Sequence, residues 1–535
     1  MKKIYILMIA CAALLAGCDS YLDTLPDNRT DIDSEQKVLK LVGSAYITAP
    51  SLMAIEFMSD NVDNYGENNP NTSRFADQCY SWSDITEGDN EAPEVLWEDA
   101  YSAIATANQV LIAIEELGGT TTSNLREAKA EALLCRAYAH FQLVNMFCKN
   151  YNKQTSQTDL GVPYMKHLET TIGVYYDRGT VAEVYTQIDK DLQEALPMVG
   201  DAHFNAASAV PKYHFNQRAA YAFACRFYLY YEQWEKAVEY ANLCLGSSPV
   251  TMLRDWKATS DMVQQEDAIC QHYIDATLNC NLMLHTAYSY MGLVFGPYAL
   301  YSRYSHGSYL AETEDGNAKN IWGSSEFYSP MHEYAATNLD KVIFWKLPYL
   351  FEYTDAVKGI GYYHTVYPVF TGDECLLNRA EAYVMLRQYD KAAADLTMWM
   401  QNIINTKKVL TPQSIQTFYG NPDLKYSYED EKHILSTVKK HLHPAFEIDE
   451  EGSLQECMLQ CVLGFRRIET LQTGMRWFDI KRYGIEIVRR VMNAKGYPET
   501  LKDVLKVDDP RRAVQLPKKV LDAVVEGKQM PPNPR

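Results

Sequence analysis

The sequence is short of positive charge. Its 535 residues include 50 Lys and Arg against 69 Asp and Glu, which leaves a formal net charge of −19. Binding to the phosphate backbone of nucleic acid requires a supply of cations, and so does docking on anionic lipid. The charge balance therefore argues against a nucleic-acid partner and against electrostatic attachment to a membrane surface.

Motifs for catalysis and for metal binding are also missing. The chain has no GxSxG, Walker A or GxGxxG pattern, and HExxH is only begun, by His332 and Glu333. The cysteines show no CxxC pair and no zinc spacing. Apart from Cys11 and Cys18 they are expected to be buried free thiols. We therefore predict a protein that is not an enzyme and that has no cofactor and no metal.

Long apolar runs are absent beyond the N-terminus, where the longest, Ala219–Tyr231, contains Arg226. Residues 1–17 combine two lysines with an apolar stretch of signal-peptide length, and the sequence LAGC before and at Cys18 resembles a bacterial lipobox. We predict cleavage before Cys18, lipidation of that residue and a polar tether over 18–30. The mature chain then has 48 basic and 69 acidic residues, a balance of −21.

Apolar residues at helical spacing dominate the rest of the chain. Caps agree with this pattern: Thr180 and Glu183 form a capping box, and Gly118 and Gly119 end a helix. The predicted helices cover 34–47, 97–117, 125–147, 180–196, 216–231, 232–245, 373–386, 390–404, 462–469 and 476–492, and a strand is predicted over 343–349.

Two helical hairpins share a pattern of small residues and aromatics that resembles a tetratricopeptide repeat. Corresponding positions, Ala237 and Ala392, lie 155 residues apart rather than about 34, so the pairs are dispersed. We predict a mainly α fold in one domain over 31–535. It would comprise an N-terminal helical part to about 248, an aromatic-rich insertion over about 249–372 and a C-terminal helical part from about 373.

Tyrosine is in surplus, with 39 Tyr against 17 Phe. Between Tyr273 and Phe370, 21 of 98 residues are aromatic and helical periodicity is weak. A second stretch without helical pattern, Asp60–Glu94, is too long for an ordinary connection. A Tyr side chain suits a binding surface, because its ring is apolar while its hydroxyl can hydrogen-bond with water or a ligand. Long loops on a rigid scaffold are usually functional. Both stretches are therefore candidate binding regions.

Motifs along nearly the whole mature chain resemble one family, the SusD/RagB-like outer-membrane nutrient-binding lipoproteins of Bacteroidetes. The resemblance is carried by their order and spacing: CDSYLD after the lipobox, LVGSAY at 41–46, WEDAYSAIATANQVL at 97–111, EAKAEALLCRAYAHFQLVNMF at 127–147, LGVPYM at 160–165, ECLLNRAEAYVML at 374–386, FRRIETLQTGMRWFDIKRYG at 465–484 and the C-terminal QLPKKVLDAVVEGKQMPPNPR.

This resemblance implies a SusD-like fold with tetratricopeptide-like helical pairs as scaffold and an irregular side of loops and short strands that binds the ligand. It implies a cell-surface lipoprotein of the outer membrane that captures an oligosaccharide and delivers it to a SusC-like TonB-dependent transporter. RagB-like members take peptides, which leaves a peptide ligand as an alternative.

The resemblance also places the binding face in the two long loops. Flat aromatic platforms with polar groups at the rim suit a sugar ligand. Trp82 and Trp322 are the leading candidates, because both lie in polar sequence with little apolar residue nearby. The full set expected to bind the ligand is Asp60, Asn61, Asn64, Tyr65, Arg74, Tyr80, Trp82, Tyr301, Tyr304, Trp322 and Tyr328.

Other classes of function remain open from the residues themselves. A surface glycoside hydrolase is one, since Asp84, Glu87, Asp89, Glu91 and Glu94 crowd one loop and paired carboxylates can hydrolyse a glycosidic bond. The same loop is a weak candidate for calcium, because it lacks the DxDxDG spacing. A helical scaffold that binds only proteins is a further alternative.

Overall fold

Nearly all of the chain after residue 31 is described by the structure, a computed structural model. The described residues are 32–67, 69–88, 90–169, 171, 173–328, 332–336 and 339–535, with the backbone alone for 332–336. Cys18, the signal segment 1–17 and the tether 18–30 lie outside them. No helix of the described residues is long and apolar enough to cross a membrane.

The fold is mainly helical, as predicted. The helices are α1 (Glu35–Val42), α2 (Leu52–Met58), α3 (Arg74–Tyr80), α4 (Pro93–Glu116), α5 (Ser123–Phe147), α6 (Val181–Ala195), α7 (His203–Ala207), α8 (Gln217–Tyr230), α9 (Trp234–Leu245), α10 (Trp256–Ser260), α11 (Glu266–Tyr273), α12 (Met291–Val294), α13 (Ser308–Thr313), α14 (Gly372–Met385), α15 (Tyr389–Ile403), α16 (Pro412–Tyr419), α17 (Leu454–Thr470), α18 (Arg476–Arg482) and α19 (Lys518–Asp522).

The strands form small sheets. They are β1 (Asp63–Asn64), β2 (Asn281–Ala287), β3 (Tyr304–Ser305), β4 (His332–Ala336), β5 (Leu339–Ile343), β6 (Leu350–Asp355), β7 (Ile360–Thr371), β8 (Ile487–Met492) and β9 (Pro498–Leu505). Their orders are β3-β1-β8-β9, β2-β7-β6 and β4-β5.

Two predicted helices have other bounds in the structure: the one expected over 34–47 ends at Val42, and the one expected over 462–469 begins at Leu454. Two further predictions have the wrong type of secondary structure. The helix expected over 476–492 ends at Arg482, and β8 follows it, because the β-branched residues of IVRRVM favour a strand and the segment pairs with β9. The strand expected over 343–349 is instead the connection between β5 and β6. Both errors fall where a short apolar run fits either period.

The helical hairpins form the scaffold. The α8–α9 pair and the α14–α15 pair are far apart in sequence, yet α9 packs directly on α14. Arg379 of α14 donates to Asn242 of α9 at 2.8 Å and forms a buried ion pair with Asp395 of α15. The capping box of Thr180 and Glu183 is present at α6. The ten cysteines of the described residues are buried, as expected, and none of them forms a disulfide.

Asn108 forms hydrogen bonds that connect neighbouring elements. Its side-chain oxygen on α4 accepts from Arg136 of α5 at 2.9 Å, and its amide donates to the Met165 carbonyl at 3.2 Å. Arg136 in turn forms a two-bond ion pair with Asp191 of α6. One polar chain therefore ties α4, α5 and α6 together.

A buried ion cluster joins the N-terminal and C-terminal parts. Asp60 lies 2.9 Å from Arg476, and Arg467 contacts both Asp60 and Glu314. Lys440 reaches Glu314 at 2.5 Å. These side chains are almost fully buried, so each charge depends on the others for compensation.

We predict that Arg467→Leu lowers the free energy of unfolding by about 3–5 kcal/mol, because it leaves Glu314 and Asp60 short of a buried counter-charge. Arg387→Leu is the matched control, since Arg387 forms a two-bond ion pair with Asp449 on the surface and should change stability little. Urea unfolding measures both. Equal losses in the two variants would contradict the account.

A histidine is held between two buried carboxylates. The ring nitrogens of His203 lie 2.9 Å from Glu127 and 2.8 Å from Glu131, so both must carry protons. Burial disfavours the imidazolium, but the two carboxylates outweigh it and raise the pKa of His203 above its usual value. Glu131 also accepts from His214 and Tyr46. Burial raises the pKa of Glu131, but the contacts with His203 and His214 outweigh it and lower this pKa to about 2.

A raised histidine pKa stabilises the fold below the unfolded pKa of about 6.5, and this contribution is lost as pH rises through the folded value. We therefore predict that the wild type loses more stability between pH 6 and pH 9 than His203→Gln does, as measured by urea midpoints. His433→Gln, at an exposed site, should follow the wild-type profile. Parallel profiles for wild type and His203→Gln would be inconsistent with a charged His203.

Candidate functional site

The structure covers Trp82 on both faces. Its side chain is 2% exposed, its indole nitrogen donates to the Met58 carbonyl at 2.8 Å, and its ring lies 4.3 Å from the guanidinium of Arg489 and 5.2 Å from that of Arg511. The expectation that this ring would be uncovered is wrong. Its cover comes from α2, β8 and the segment after β9, and no face remains for a sugar.

Tyr80 and Tyr304 are brought together, but by packing on each other. Their rings stack at 4.3 Å, and their hydroxyls donate to the Arg490 carbonyl and to Asp77. Both side chains are buried. Tyr301 packs beside Phe57 with ring centroids 6.3 Å apart. These tyrosines join the two predicted loops as structural contacts.

Asp60 and Asn61 are also interior residues. Asp60 belongs to the ion cluster, where Arg467 and Arg476 overcome the effect of burial and hold its pKa well below the usual range. Asn61 is fully buried, donates to Glu56 and accepts from Arg467 at 2.9 Å each. Neither side chain can reach a ligand at the surface.

The remaining candidates of the first loop are less covered. Asn64 lies in β1 and accepts from the Gly66 amide, and Tyr65 donates to Asp340 at 3.0 Å. Arg74 is exposed and lies 3.2 Å from Glu87. Of this set, Arg74 alone has a side chain that is mostly accessible to a ligand.

Trp322 is 5% exposed and packs against Phe327 and Phe465, with centroids about 6 Å away. The expectation that it would be uncovered is therefore wrong as well. Tyr328 is half-buried, and its amide donates to the Ile403 carbonyl at the end of α15. The second loop thus turns its predicted platform residues inward against α15 and α17.

Exposed aromatic rings lie at the β6–β7 hairpin, which is within the aromatic-rich stretch but contributes none of the residues expected to bind the ligand. Five rings follow one another, and we call them the aromatic row: Tyr298 from the connection between α12 and β3, Tyr349 just before β6, and Tyr363, Phe351 and Tyr353 from one face of the hairpin. Successive centroids are 5.8, 5.6, 5.0 and 4.9 Å apart. Tyr353 is 60% exposed and Tyr349 38%, and the other three are half-buried.

The register of the hairpin explains the row. Phe351 pairs with Tyr363 and Tyr353 pairs with Gly361, so these four positions share one face of the antiparallel pair. A Cβ at Gly361 would lie 2.6 Å from the Phe351 ring and closer still to the Glu352 carbonyl. Glycine at this position therefore lets the Phe351 ring lie across the strand.

The opposite face of the hairpin carries a smaller aromatic group. Tyr288 and Tyr362 have centroids 4.9 Å apart, and His364 follows at 6.1 Å from Tyr362. A hydrogen bond with Glu352 and partial desolvation raise the pKa of Tyr362 to about 12. Both faces of the hairpin are thus aromatic and carry neutral phenol groups.

The aromatic row has the chemistry of a carbohydrate platform. The ring faces can stack on the apolar C–H faces of pyranose rings, and phenol hydroxyls can exchange hydrogen bonds with sugar hydroxyls. Burial and the nearby Glu266 raise the pKa of Tyr298 to about 12, so its hydroxyl remains a donor at neutral pH. Three of the four neighbouring pairs meet edge to face, at interplanar angles of 68–72°, so the row offers separate ring faces rather than one flat platform.

The acidic loop does not assemble a pair of free carboxylates. Asp84 pairs with Arg535 at 2.7 Å, Glu87 with Arg74 at 3.2 Å and Glu94 with Lys519 at 2.6 Å. Glu91 is buried, and Asp89 lies outside the described residues. Because each described carboxylate of this loop has a separate location, the loop gives no support to a hydrolase or to calcium binding. Within the described part of the chain, no group of three or more potential metal ligands is arranged around a common point.

A family model described as SusD-like, starch-binding and associating with the outer membrane matches residues 20–229. Among curated proteins, none matches the chain.

Solved structures match almost the whole chain. A SusD superfamily protein from Bacteroides thetaiotaomicron VPI-5482 is 17% identical with a TM-score of 0.60, over 95% of this chain and 100% of that one. A SusD superfamily protein from Bacteroides vulgatus ATCC 8482 is 19% identical with a TM-score of 0.57, over 94% and 98%. A SusD-like carbohydrate binding protein from the same strain is 17% identical with a TM-score of 0.54, over 86% and 85%.

The resemblance found in the motifs is therefore confirmed: the chain is SusD-like in fold, and its residues 20–229 carry the SusD-like sequence pattern.

Proposed function

We propose that this protein is a cell-surface binding lipoprotein, anchored in the outer membrane through Cys18, that captures an oligosaccharide on its aromatic row. The row carries the proposal, because it is a run of five neighbouring rings, two exposed and three half-buried, on a protein of SusD-like fold. The description of the matching family model, starch-binding and associating with the outer membrane, supports both parts.

The captured oligosaccharide would pass to a SusC-like TonB-dependent transporter in the same membrane, which would supply the energy for uptake. The binding protein itself would catalyse no reaction. Incubation with glycans that bind should therefore yield no shortened products, whereas release of smaller sugars would favour the hydrolase alternative.

A peptide ligand is the second candidate function, and one groove favours it. The groove has a volume of about 710 Å³ beside α4 and is lined mainly by apolar and aromatic side chains, among them Tyr101, Met165, Leu168, Tyr175, Tyr176 and Met530. Such a surface suits the side chains of an extended peptide. Calorimetry with casein-derived oligopeptides, beside the glycans, decides between the two ligands.

We predict that the double variant Tyr349→Ala/Tyr353→Ala binds its oligosaccharide about tenfold or more weakly, because two stacking faces of about 1 kcal/mol each are lost. Both side chains are exposed, Tyr349 just before β6 and Tyr353 within it, so the melting temperature should stay near that of the wild type. A glycan array identifies the ligand, and calorimetry measures the affinity.

Tyr497→Ala is the matched control, since Tyr497 is 57% exposed and lies outside the row. It should bind as the wild type does. Unchanged affinity in the double variant would remove the row from the site, and an equal loss in Tyr497→Ala would show that the effect is not specific.

Cys18→Ser should move the protein from the membrane fraction to the soluble fraction, because the thiol that accepts the lipid is lost. Cys11→Ser, in the apolar part of the signal segment, should remain membrane-bound. Fractionation followed by immunoblotting measures both variants. Retention of Cys18→Ser in the membrane would contradict anchoring at this residue.

A further inference from the structure

A polar groove of about 780 Å³ lies on a different part of the molecule from the aromatic row. One wall is the segment after α5, and the others are formed by the turn after α18, the segment before and after Pro510, and the chain near the C-terminus. Its lining residues include Lys149, Asn152, Gln154, Thr158, Lys481 and Arg512. The volume is in the range of sites for small ligands.

Two buried cations lie at the floor of this groove. Lys481 is 4% exposed and donates to the carbonyls of Asn145 and Cys148 at 2.5 and 2.7 Å. Arg512 is 8% exposed and donates to the carbonyls of Ile480 and Ile485. None of the ion pairs formed within the described residues includes either side chain. Their hydrogen bonds are therefore satisfied, whereas their charges have no carboxylate partner.

A buried charge is normally paired. Arg489 and Lys341 are also held by carbonyls alone, but Lys481 and Arg512 together line one groove that is large enough for a ligand. In this protein the other deeply buried arginines of the core mostly face a carboxylate, as Arg467, Arg476 and Arg490 do. Burial without a counter-ion lowers the pKa of Lys481 to about 7, with Arg512 adding to the effect and Cys148 opposing it. An anion bound in the groove would supply the missing partner.

The acidic groups at the groove are mostly engaged elsewhere. Asp159 is bound by Lys149 at 2.9 Å and by the Thr155 hydroxyl at 2.6 Å. Asp509 is bound by Arg511 at 2.7 Å. Asp508 is the remaining acidic residue of the groove lining, and its side chain is exposed at the rim. The floor of the groove is thus positive, although the whole chain is strongly acidic.

The wall beside the cations is built of neutral hydrogen-bonding groups. It presents the side chains of Asn150, Asn152, Gln154, Thr155 and Thr158. Amides and hydroxyls of this kind both donate and accept, which matches the hydroxyls of a sugar ring. A ligand that combines one carboxylate with several hydroxyls would therefore meet a complementary partner on each side.

We propose that this groove is a second binding site that takes an acidic sugar, with the carboxylate of a uronic acid residue toward Lys481 and Arg512 and its hydroxyls toward the Asn, Gln and Thr wall. The site is separate from the aromatic row, which has the chemistry for neutral sugar faces. It extends the proposed function to charged glycans and does not depend on the row being a binding site.

Titration calorimetry of the mature chain carrying Cys18→Ser, with trigalacturonate as the probe, tests this proposal. Binding should be accompanied by uptake of up to about half a proton at pH 7, because a bound carboxylate raises the pKa of Lys481. Repeating the titration in two buffers of different ionisation enthalpy measures that uptake. Neutral galactotriose should bind at least tenfold more weakly at this site.

Thr158→Trp should weaken trigalacturonate binding at least tenfold, because the indole would fill the groove without touching the buried cations. Thr121→Trp, exposed at the opposite end of α5, is its control. Lys481→Met should abolish the proton uptake, and thermal unfolding checks that this variant folds. The variant of the aromatic row separates the two sites, since it should lower affinity for neutral oligosaccharide while trigalacturonate still binds.

Three results would overturn the proposal. They are the absence of trigalacturonate binding, equal affinity for galactotriose or for inorganic phosphate, and full binding by Thr158→Trp. Loss of neutral-glycan binding by the protein as a whole would overturn the proposed function and leave this site standing.

Discussion

The buried pairing of arginine with carboxylate and carbonyl oxygens is the interaction on which the rest of the structure depends. Arg467 of α17 holds Asp60 and Glu314, which come from two irregular segments more than 150 residues away from it in sequence. Arg489 of β8 donates to the carbonyls of Phe57, Met58 and Tyr80. Long loops without regular structure are thereby fixed on a helical scaffold, because removing any one cation would leave buried acceptors without donors.

This fixing decides which aromatic residues remain available to a ligand. Where arginines bind a loop to the scaffold, the aromatic rings of that loop are buried, as Trp82 is beside Arg489 and Arg511. The β6–β7 hairpin receives no such cover over its tip, and its rings stay exposed along one face. The binding surface and the structural core therefore contain the same types of residue. The positions of the buried arginines decide which aromatic rings are covered and which stay exposed.

The helical scaffold could be predicted from the sequence, but the residues of the candidate site could not. Helical periodicity and caps located the long helices, such as the one capped by Thr180, because those signals are local. Burial of Trp82 and Trp322 depends on partners hundreds of residues or whole elements away, which no local pattern reveals. One usable signal was overlooked: Phe351 and Tyr353 alternate at strand period before a turn at Gly359, a pattern that predicts a hairpin with aromatics on one face.

The central claim is that oligosaccharide binds along the hairpin rather than within the loop of residues 60–94. A crystal structure of the mature protein soaked with the glycan selected by an array tests this most directly. The account predicts sugar rings stacked on Tyr349, Phe351 and Tyr353, with the chain running along β6. Sugar density confined to the loop around Arg74, with the hairpin bare, would contradict it.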